Sequence, residues 1–273
     1  MKHCILCGIL LSAAAIPGIA QNSSQQNIFS YKAGAFEVIT LVETQRSGGI
    51  PGNLIGATQE MLDQYFPDKT SVSQTNAFLV RDGARNILID TGLGAALFDN
   101  LKAIGVAPGA IDAVLITHMH GDHIGGLAKN GAALFPNAKV YLAVTEKDYW
   151  TKTAPNQGAI NALAPYGSRV ETFLPGELGA RTSELLPGIT PIASFGHTPG
   201  HSVFLLESDG QKLLIAGDFI HVERIQFPRP DVSVSYDTDP VAAAGSRRKI
   251  LEYTAANNIP VAGMHLVYPS IGR

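Results

Sequence analysis

Apolar residues in this chain gather in short, β-branched runs, each closed by a turn residue, a pattern that predicts strands rather than long helices. Strands are expected at 36–42, 76–80, 86–90, 113–117, 139–143, 169–173, 190–195, 203–207, 212–216 and 259–263. Arg81-Asp82-Gly83 marks a hairpin between the second and third of these. Helical patterns cover 58–66, stopped by Pro67, and 95–104, with Gly105 just past the end. Two more cover 145–152, with Thr145 as the expected N-cap, and 241–256. Residues 46–57, 153–168 and 221–240 are rich in turn-forming residues and read as connections. Residues 21–35 are rich in Ser, Gln and Asn and read as a flexible leader, with a single domain over 36–273. Strands in pairs, interrupted by helices, predict an α+β fold of two mixed β-sheets flanked by helices, the second half starting near Arg169.

The length of 273 residues and a hydrophobic content of 45% allow a sizeable core. The net charge is −3, and no basic stripe runs through the sequence, which argues against a nucleic-acid partner. Arg247-Arg248-Lys249 lies in a helical stretch and is expected to be a solvated face. Residues 1–20 have the form of an export signal: Lys2, an apolar core over 5–16 too short for an ordinary membrane span, and small residues before Gln21. Cleavage before Gln21 is expected, with an uncleaved anchor as the alternative. Cys4 and Cys7 both lie inside that signal, so the mature chain has no thiol. Any metal must then be held by His and carboxylate.

The candidate chemistry starts at Thr117-His118-Met119-His120-Gly121-Asp122-His123, directly after the apolar run of 113–117. His118 and His120 are two apart, so an extended backbone points both rings to one side. Asp122 and His123 follow where the chain turns into a helix. One His is usually a packed or solvated side chain, but three His and an Asp at this spacing point to a metal. Three later strands also end in a ligand type: His197 in Phe195-Gly196-His197-Thr198-Pro199-Gly200-His201, Asp218 after Leu213-Leu214-Ile215-Ala216-Gly217, and His265 after Val261-Ala262-Gly263-Met264. Pro199-Gly200 is a tight-turn signal that restricts where His197 points.

This set resembles the metallo-β-lactamase superfamily: His118-x-His120-x-Asp122-His123, then His197, Asp218 and His265 in family order, with Asp90-Thr91-Gly92 as the early motif. Within it the chain looks most like the methyl parathion hydrolase group, on weaker motifs around 135–138, 148–150, 198–201, 226–227 and 265–272. The resemblance implies a four-layer αββα sandwich with two divalent metal ions, zinc by preference, between the sheets. It implies that His118, His120 and His197 hold one ion, that Asp122, His123 and His265 hold the other, and that Asp218 bridges them. A hydroxide between the ions would be the attacking group, and Asp122 would help to move a proton. Asp90 and His201 are expected behind the ligands rather than among them. His221 has no motif partner and is expected at the surface, with the pocket as the alternative. The family generally continues beyond the position of Arg273, so either the chain is a fragment or the second sheet ends early.

The substrates expected are uncharged small molecules: phosphotriesters, aryl esters or lactones. Trp150 and Phe227 would form an aromatic wall if they face the cleft. The absence of cysteine leaves only the cysteine-free β-lactamase subclass as an alternative, and Asp218 weighs against it. Glyoxalase II and nuclease readings are weaker still. An alternative of another class is a metal-binding or sensing protein without catalysis. No membrane contact is expected after signal cleavage, and a homodimer stays open as an assembly.

Overall fold

The computed structural model describes residues 28–180 and 182–273. Residues 1–20, where an export signal is expected, lie outside the described residues. Seven strands form the first sheet, adjacent in chain order: β1 (Ile28–Ala33), β2 (Phe36–Gly49), β3 (Thr70–Arg81), β4 (Asn86–Ile89), β5 (Ala113–Leu115), β6 (Lys139–Ala143) and β7 (Val170–Phe173). The first four are antiparallel neighbours, and β4 to β7 run parallel. The second sheet holds β8 (Ile189–Ala193), β9 (Ser202–Ser208), β10 (Gln211–Ile215), β11 (Val261–Ala262) and β12 (Ile271–Gly272). Seven α-helices accompany them among the described residues: α1 (Gln59–Tyr65), α2 (Leu97–Ala103), α3 (Gly121–Ile124), α4 (Val144–Asp148), α5 (Gln157–Leu163), α6 (Glu223–Gln226) and α7 (Pro240–Ala256).

Three apolar layers explain why the central strands read as continuous hydrophobic runs: both faces of each sheet are covered. Val38, Phe78, Val80, Ile87, Ile89 and Leu115 point inward and meet Phe204, Leu206, Leu213 and Ile215 of the second sheet. The alternate residues Ile39, Leu79, Leu88 and Val114 face outward and pack with Leu97 and Leu101 of α2 and Leu163 of α5. On the far side Val203, Leu214 and Val261 pack with Ile250 of α7. Helix, sheet, sheet, helix is therefore the layer order, the αββα sandwich expected. Among the described residues no helix is long and apolar enough to cross a membrane.

Several elements differ from expectation. Ile28–Ala33, expected within the flexible leader, is an edge strand paired residue by residue with β2. Its Ile28, Tyr31 and Ala33 pack onto the cores on the two faces of the sheet, and the Ser/Gln/Asn-rich residues before it hide this short run in the sequence. Residues 46–49, expected in a loop, extend β2 against β3 beyond a bulge at Val42/Thr44. Residues 153–168 contain α5, whose brief apolar stripe (Ala159, Ala162, Leu163) is capped by the Asn156 side chain. Thr145 caps nothing: β6 runs straight into α4, with Ala143 at the cap position. The strand at Val170–Phe173 belongs to the first sheet, because the α4–α5 crossover returns the chain parallel to β6. Residues 221–240 hold α6 and a short ribbon between Ser233–Val234 and Leu54–Ile55.

Arg247 corrects the expectation of a solvated basic face. It lies on the buried stripe of α7 with Ala243, Ile250 and Thr254, while Arg248 and Lys249 are exposed. Its guanidinium donates to the carbonyls of Phe219 (2.5 Å), Pro230 (2.8 Å) and Val232 (2.9 Å). It pins the segment between β10 and α7, which forms one wall of the site.

Candidate metal centre

All seven predicted ligand positions converge at one end of the sandwich, on loops that leave strand ends. His118 and His120 follow β5, Asp122 and His123 lie on α3, His197 lies between β8 and β9, Asp218 follows β10 and His265 follows β11. Gly217 makes the last step of β10 possible. Its φ is +53°, and a Cβ there would sit 2.5 Å from His201 Nε2. Two buried amides of β3 tie the His265 loop to the first sheet: Asn76 donates to Gly263 O and Leu266 O, and Gln74 to Leu266 O.

The side chains form two groups that share one carboxylate. His118 Nε2, His120 Nδ1 and His197 Nε2 lie 2.9–3.2 Å apart, with Asp218 Oδ2 at 3.4 Å from His197 and 3.6 Å from His118. In the second group His123 Nε2 lies 3.7 Å from Asp122 Oδ1, and His265 Nε2 lies 3.4 Å from Asp122 Oδ2. Asp218 reaches this group too, with Oδ1 3.1 Å from His123 and Oδ2 3.1 Å from His265.

Outer partners set which nitrogen of each ring carries the proton. His123 Nδ1 donates to Asp90 (2.7 Å), His197 Nδ1 to Asp237 (2.8 Å) and His265 Nδ1 to Gln74 O (2.7 Å). Thr117 Oγ1 spends its own proton on Asp90 and so accepts from His118 Nδ1 at 3.1 Å. All four rings therefore turn Nε2 inward, at one another and at carboxylate oxygens, so that loss of the Nε2 proton leaves a lone pair facing the centre. Burial opposes charge on His123, His197 and His265, but Asp218 outweighs it and favours a proton on each ring; a divalent cation at the centre would take the place of those protons. Consistently, His123 Nε2 and Asp218 Oδ1 are buried with no hydrogen-bond partner. Nitrogen and carboxylate donors in groups of three and four fit divalent ions of the zinc type.

The electrostatics show the same strain among the protein groups alone. Burial pushes His118 well below its usual value, and His120 down to about 4. Burial opposes charge on His265 as well, but Asp218 and Asp122 outweigh it and raise that ring to about 10. For Asp218 burial is outweighed by His123 and His265, which hold the carboxyl well below the usual range.

Asp90 and His201 stand behind the candidate ligands, Asp90 against His123 and His201 against the Asp218 backbone. His201 accepts from Asp218 N (2.9 Å) and donates to Ser194 O (3.0 Å), which holds the end of β10. His221, expected at the surface, is instead in the site. Its Nε2 is 3.1 Å from Asp218 Oδ2, and its ring stacks on His265 at 5.1 Å. Both its nitrogens are buried without a partner. The spacing of three from Asp218 was the available signal. Asp237 gave none, because Asp239 two residues on supplies the helix cap that explains the local pattern.

Two cavities open on either side of His120. One, of about 560 Å³, is lined by Asn53, Ser71, Ser73, His221, Tyr236 and the ligand groups. The other, of about 660 Å³, lies between Met119, Trp150, Ala159 and Ala162. Trp150 faces the site, its ring 5.5 Å from that of His120. Phe227 does not: it lines a separate apolar cavity with Leu251 and Val267, because α6 turns its exposed end away from the ligands.

Known proteins share this fold. The hydrolase AbOPH of the beta-lactamase superfamily is 32% identical in sequence, with a TM-score of 0.81 over 90% of this chain and 92% of its own. AidC, a dizinc quorum-quenching lactonase solved with a homoserine product, is 25% identical, with a TM-score of 0.79 over the same shares. An atrochrysone carboxyl ACP thioesterase of Passalora fulva is 32% identical over 164 residues, 56% of this chain. The chain spans 40% of that thioesterase's length, and less than two thirds of the length of the curated relatives it first matches. Residues 70–258 match the family profile, which runs from β3 to just past α7 and takes in six of the seven predicted ligand positions, His265 lying beyond it. With the sandwich, the profile and the paired His/Asp groups in agreement, the chain belongs to the metallo-beta-lactamase superfamily.

Proposed function

We propose that this protein is an exported hydrolase of uncharged esters, lactones first and then aryl esters or phosphotriesters, working with two divalent ions. The observation that carries the reading is the shared carboxylate: Asp218 reaches both inward-facing groups, Oδ2 lying beside His197 and His265 and Oδ1 beside His123. His118, His120 and His197 would hold one ion, Asp122, His123 and His265 the other, with Asp218 between them. Ions bound there supply an activated water and polarise the substrate oxygen, with zinc as the preferred metal.

The chain's own residues do the rest. The outer carboxylates Asp90 and Asp237 hold His123 and His197 in the tautomer that leaves Nε2 free. Asp122 is one-third exposed, the most open carboxylate of the site, and is placed to carry a proton between the cleft and the ligand groups. The two cavities beside His120 would separate the substrate's two ends. The Trp150 side, walled by Ala159, Ala162 and Ile124, suits an alkyl or aryl group. Neither cavity is lined by Lys or Arg, which favours neutral substrates over anionic ones. The similarity of AidC, described as a lactonase, supports placing lactones first. Export rests on the pattern of residues 1–20 and is tested by the N-terminal sequence of the protein recovered outside the cytoplasm.

The decisive experiment is metal analysis joined to a hydrolysis panel: an acyl-homoserine lactone, an aryl ester, a paraoxon-type triester, a thioester and a cephalosporin. About two ions per chain are expected, with turnover of at least one neutral ester that chelation abolishes and zinc restores. His120→Ala should remove that turnover. Absence of stoichiometric metal after loading, or turnover indifferent to chelator, would overturn the proposal.

A further inference from the structure

Glu146 is fully buried on α4, and none of the chemistry above uses it. Its carboxylate accepts four hydrogen bonds. Oε1 takes Met119 N (2.9 Å) and Trp150 Nε1 (2.6 Å); Oε2 takes Thr198 Oγ1 (2.7 Å) and Gly200 N (2.9 Å). Met119 stands between His118 and His120. Thr198 and Gly200 stand between His197 and His201. The two turns come from different sheets, one after β5 and one after β8, and no strand pairing joins β5 to β8. Gly200 lies so close to α4 that a Cβ there would be 2.2 Å from Glu146 N. Burial raises the carboxyl above its usual range, and the four donors pull it back. Only an ionised carboxylate, with acceptor sites and no proton of its own, satisfies four donors at once.

We propose that Glu146 is a positioning residue that fixes, through one carboxylate, both the His118/His120/His197 group and the Trp150 wall of the substrate cavity. A buried network with every member satisfied has one low-energy arrangement, so the two histidine turns and the indole are set together. The His123/His265 group lies outside this network, its outer partners being Asp90 and Gln74. Disturbing Glu146 therefore acts on one ion and on the wall, and leaves the other ion alone. The proposal rests on the two-ion reading above.

Glu146→Gln tests it. The amide keeps the shape but turns an NH₂ toward donors on one side. Zinc is titrated into metal-free protein against a chromophoric chelator. One of the two ions should bind about 10–100-fold more weakly, the other as in the unaltered protein. Trp150 is the chain's single tryptophan, so emission reads its environment directly. The emission of the variant should move to the red and be quenched more by acrylamide, with or without zinc. Trp150→Phe, which keeps three donors on Glu146, should bind both ions nearly normally and raise KM for neutral esters. Thr198→Val removes a single donor without changing shape. It should show weaker binding of one ion, by roughly 3–10-fold, and decides the matter if the Gln variant does not fold. Folded variants that bind both ions with unaltered affinity and keep the same Trp150 emission overturn the proposal. Protein that takes up no zinc even without substitution would sink the two-ion reading instead, while the emission change would still report on the Glu146 network.

Discussion

Replacing Arg247 with methionine tests whether the buried guanidinium holds the segment between β10 and α7 in place. Methionine keeps most of the side-chain volume and removes the charge and every donor. Phe219 O and Pro230 O then lose their Arg247 hydrogen bonds, while Val232 O keeps a bond from Gln226 Nε2 at 3.1 Å. Each buried carbonyl left without a partner costs about 1–3 kcal/mol. Asp237 also loses the cation 3.8 Å from its Oδ2. Together these give about 3–5 kcal/mol, the range found when one partner of a buried charged network is removed. The assay is urea unfolding of metal-free protein, so that ion binding does not contribute. With an m-value of about 3 kcal/mol/M the midpoint should fall by about 1–2 M. The internal control is Arg248→Met, the same change one residue along on the exposed face, expected within about 0.5 kcal/mol of the unaltered protein. An Arg247→Met midpoint no lower than that of Arg248→Met would refute the reasoning.

Three further outcomes follow from the site and the core. His221→Ala should keep both ions, because four other groups, Asp218 counted for each, surround each expected ion, yet lower turnover by at least about 10-fold; loss of one ion on metal analysis would make His221 a ligand instead. Asp237→Asn removes the carboxylate that accepts from His197 Nδ1 and should weaken zinc binding by about 10–100-fold, while unchanged affinity in a chelator competition would exclude that role. Tyr166 is buried, donating to Leu127 O and accepting from Phe135 N, and burial raises it from 10 to about 12. A raised folded-state value contributes stability that is whole below pH 10 and lost as pH rises toward 12. Tyr166→Phe should flatten the fall in unfolding free energy across that window, and an identical slope in both proteins would contradict it.

How much of this was readable beforehand depends on how local each feature is. The candidate ligand set was legible because its seven members follow just four apolar strands, and strand periodicity is a property of a few consecutive residues. His118 and His120 alternate on one extended segment, and Asp218 ends a run that is buried on both faces. The layer order was legible for the same reason. β1 was not, because its six residues directly follow a Ser/Gln/Asn run, and only pairing with β2 shows that Ile28, Tyr31 and Ala33 reach the cores. The helix at Gln157–Leu163 was missed because its apolar stripe is only three residues long.

What the chain's order of residues determined by itself was the inventory: which side chains could bind a metal, and which strands would deliver them. Only the tertiary structure decided their partners. Arg247, beside exposed Arg248, is buried because α7 turns that stripe toward the 219–232 segment. Glu146 meets Met119 from 27 residues away and Gly200 from 54. Phe227 and Trp150 look alike as aromatic candidates, yet the end of α6 and the π-helical turn that follows α4 aim them at different cavities. Side-chain type is written one residue at a time, whereas a buried charge or an orphaned nitrogen acquires its meaning from whatever the packing of two sheets brings within 3 Å of it.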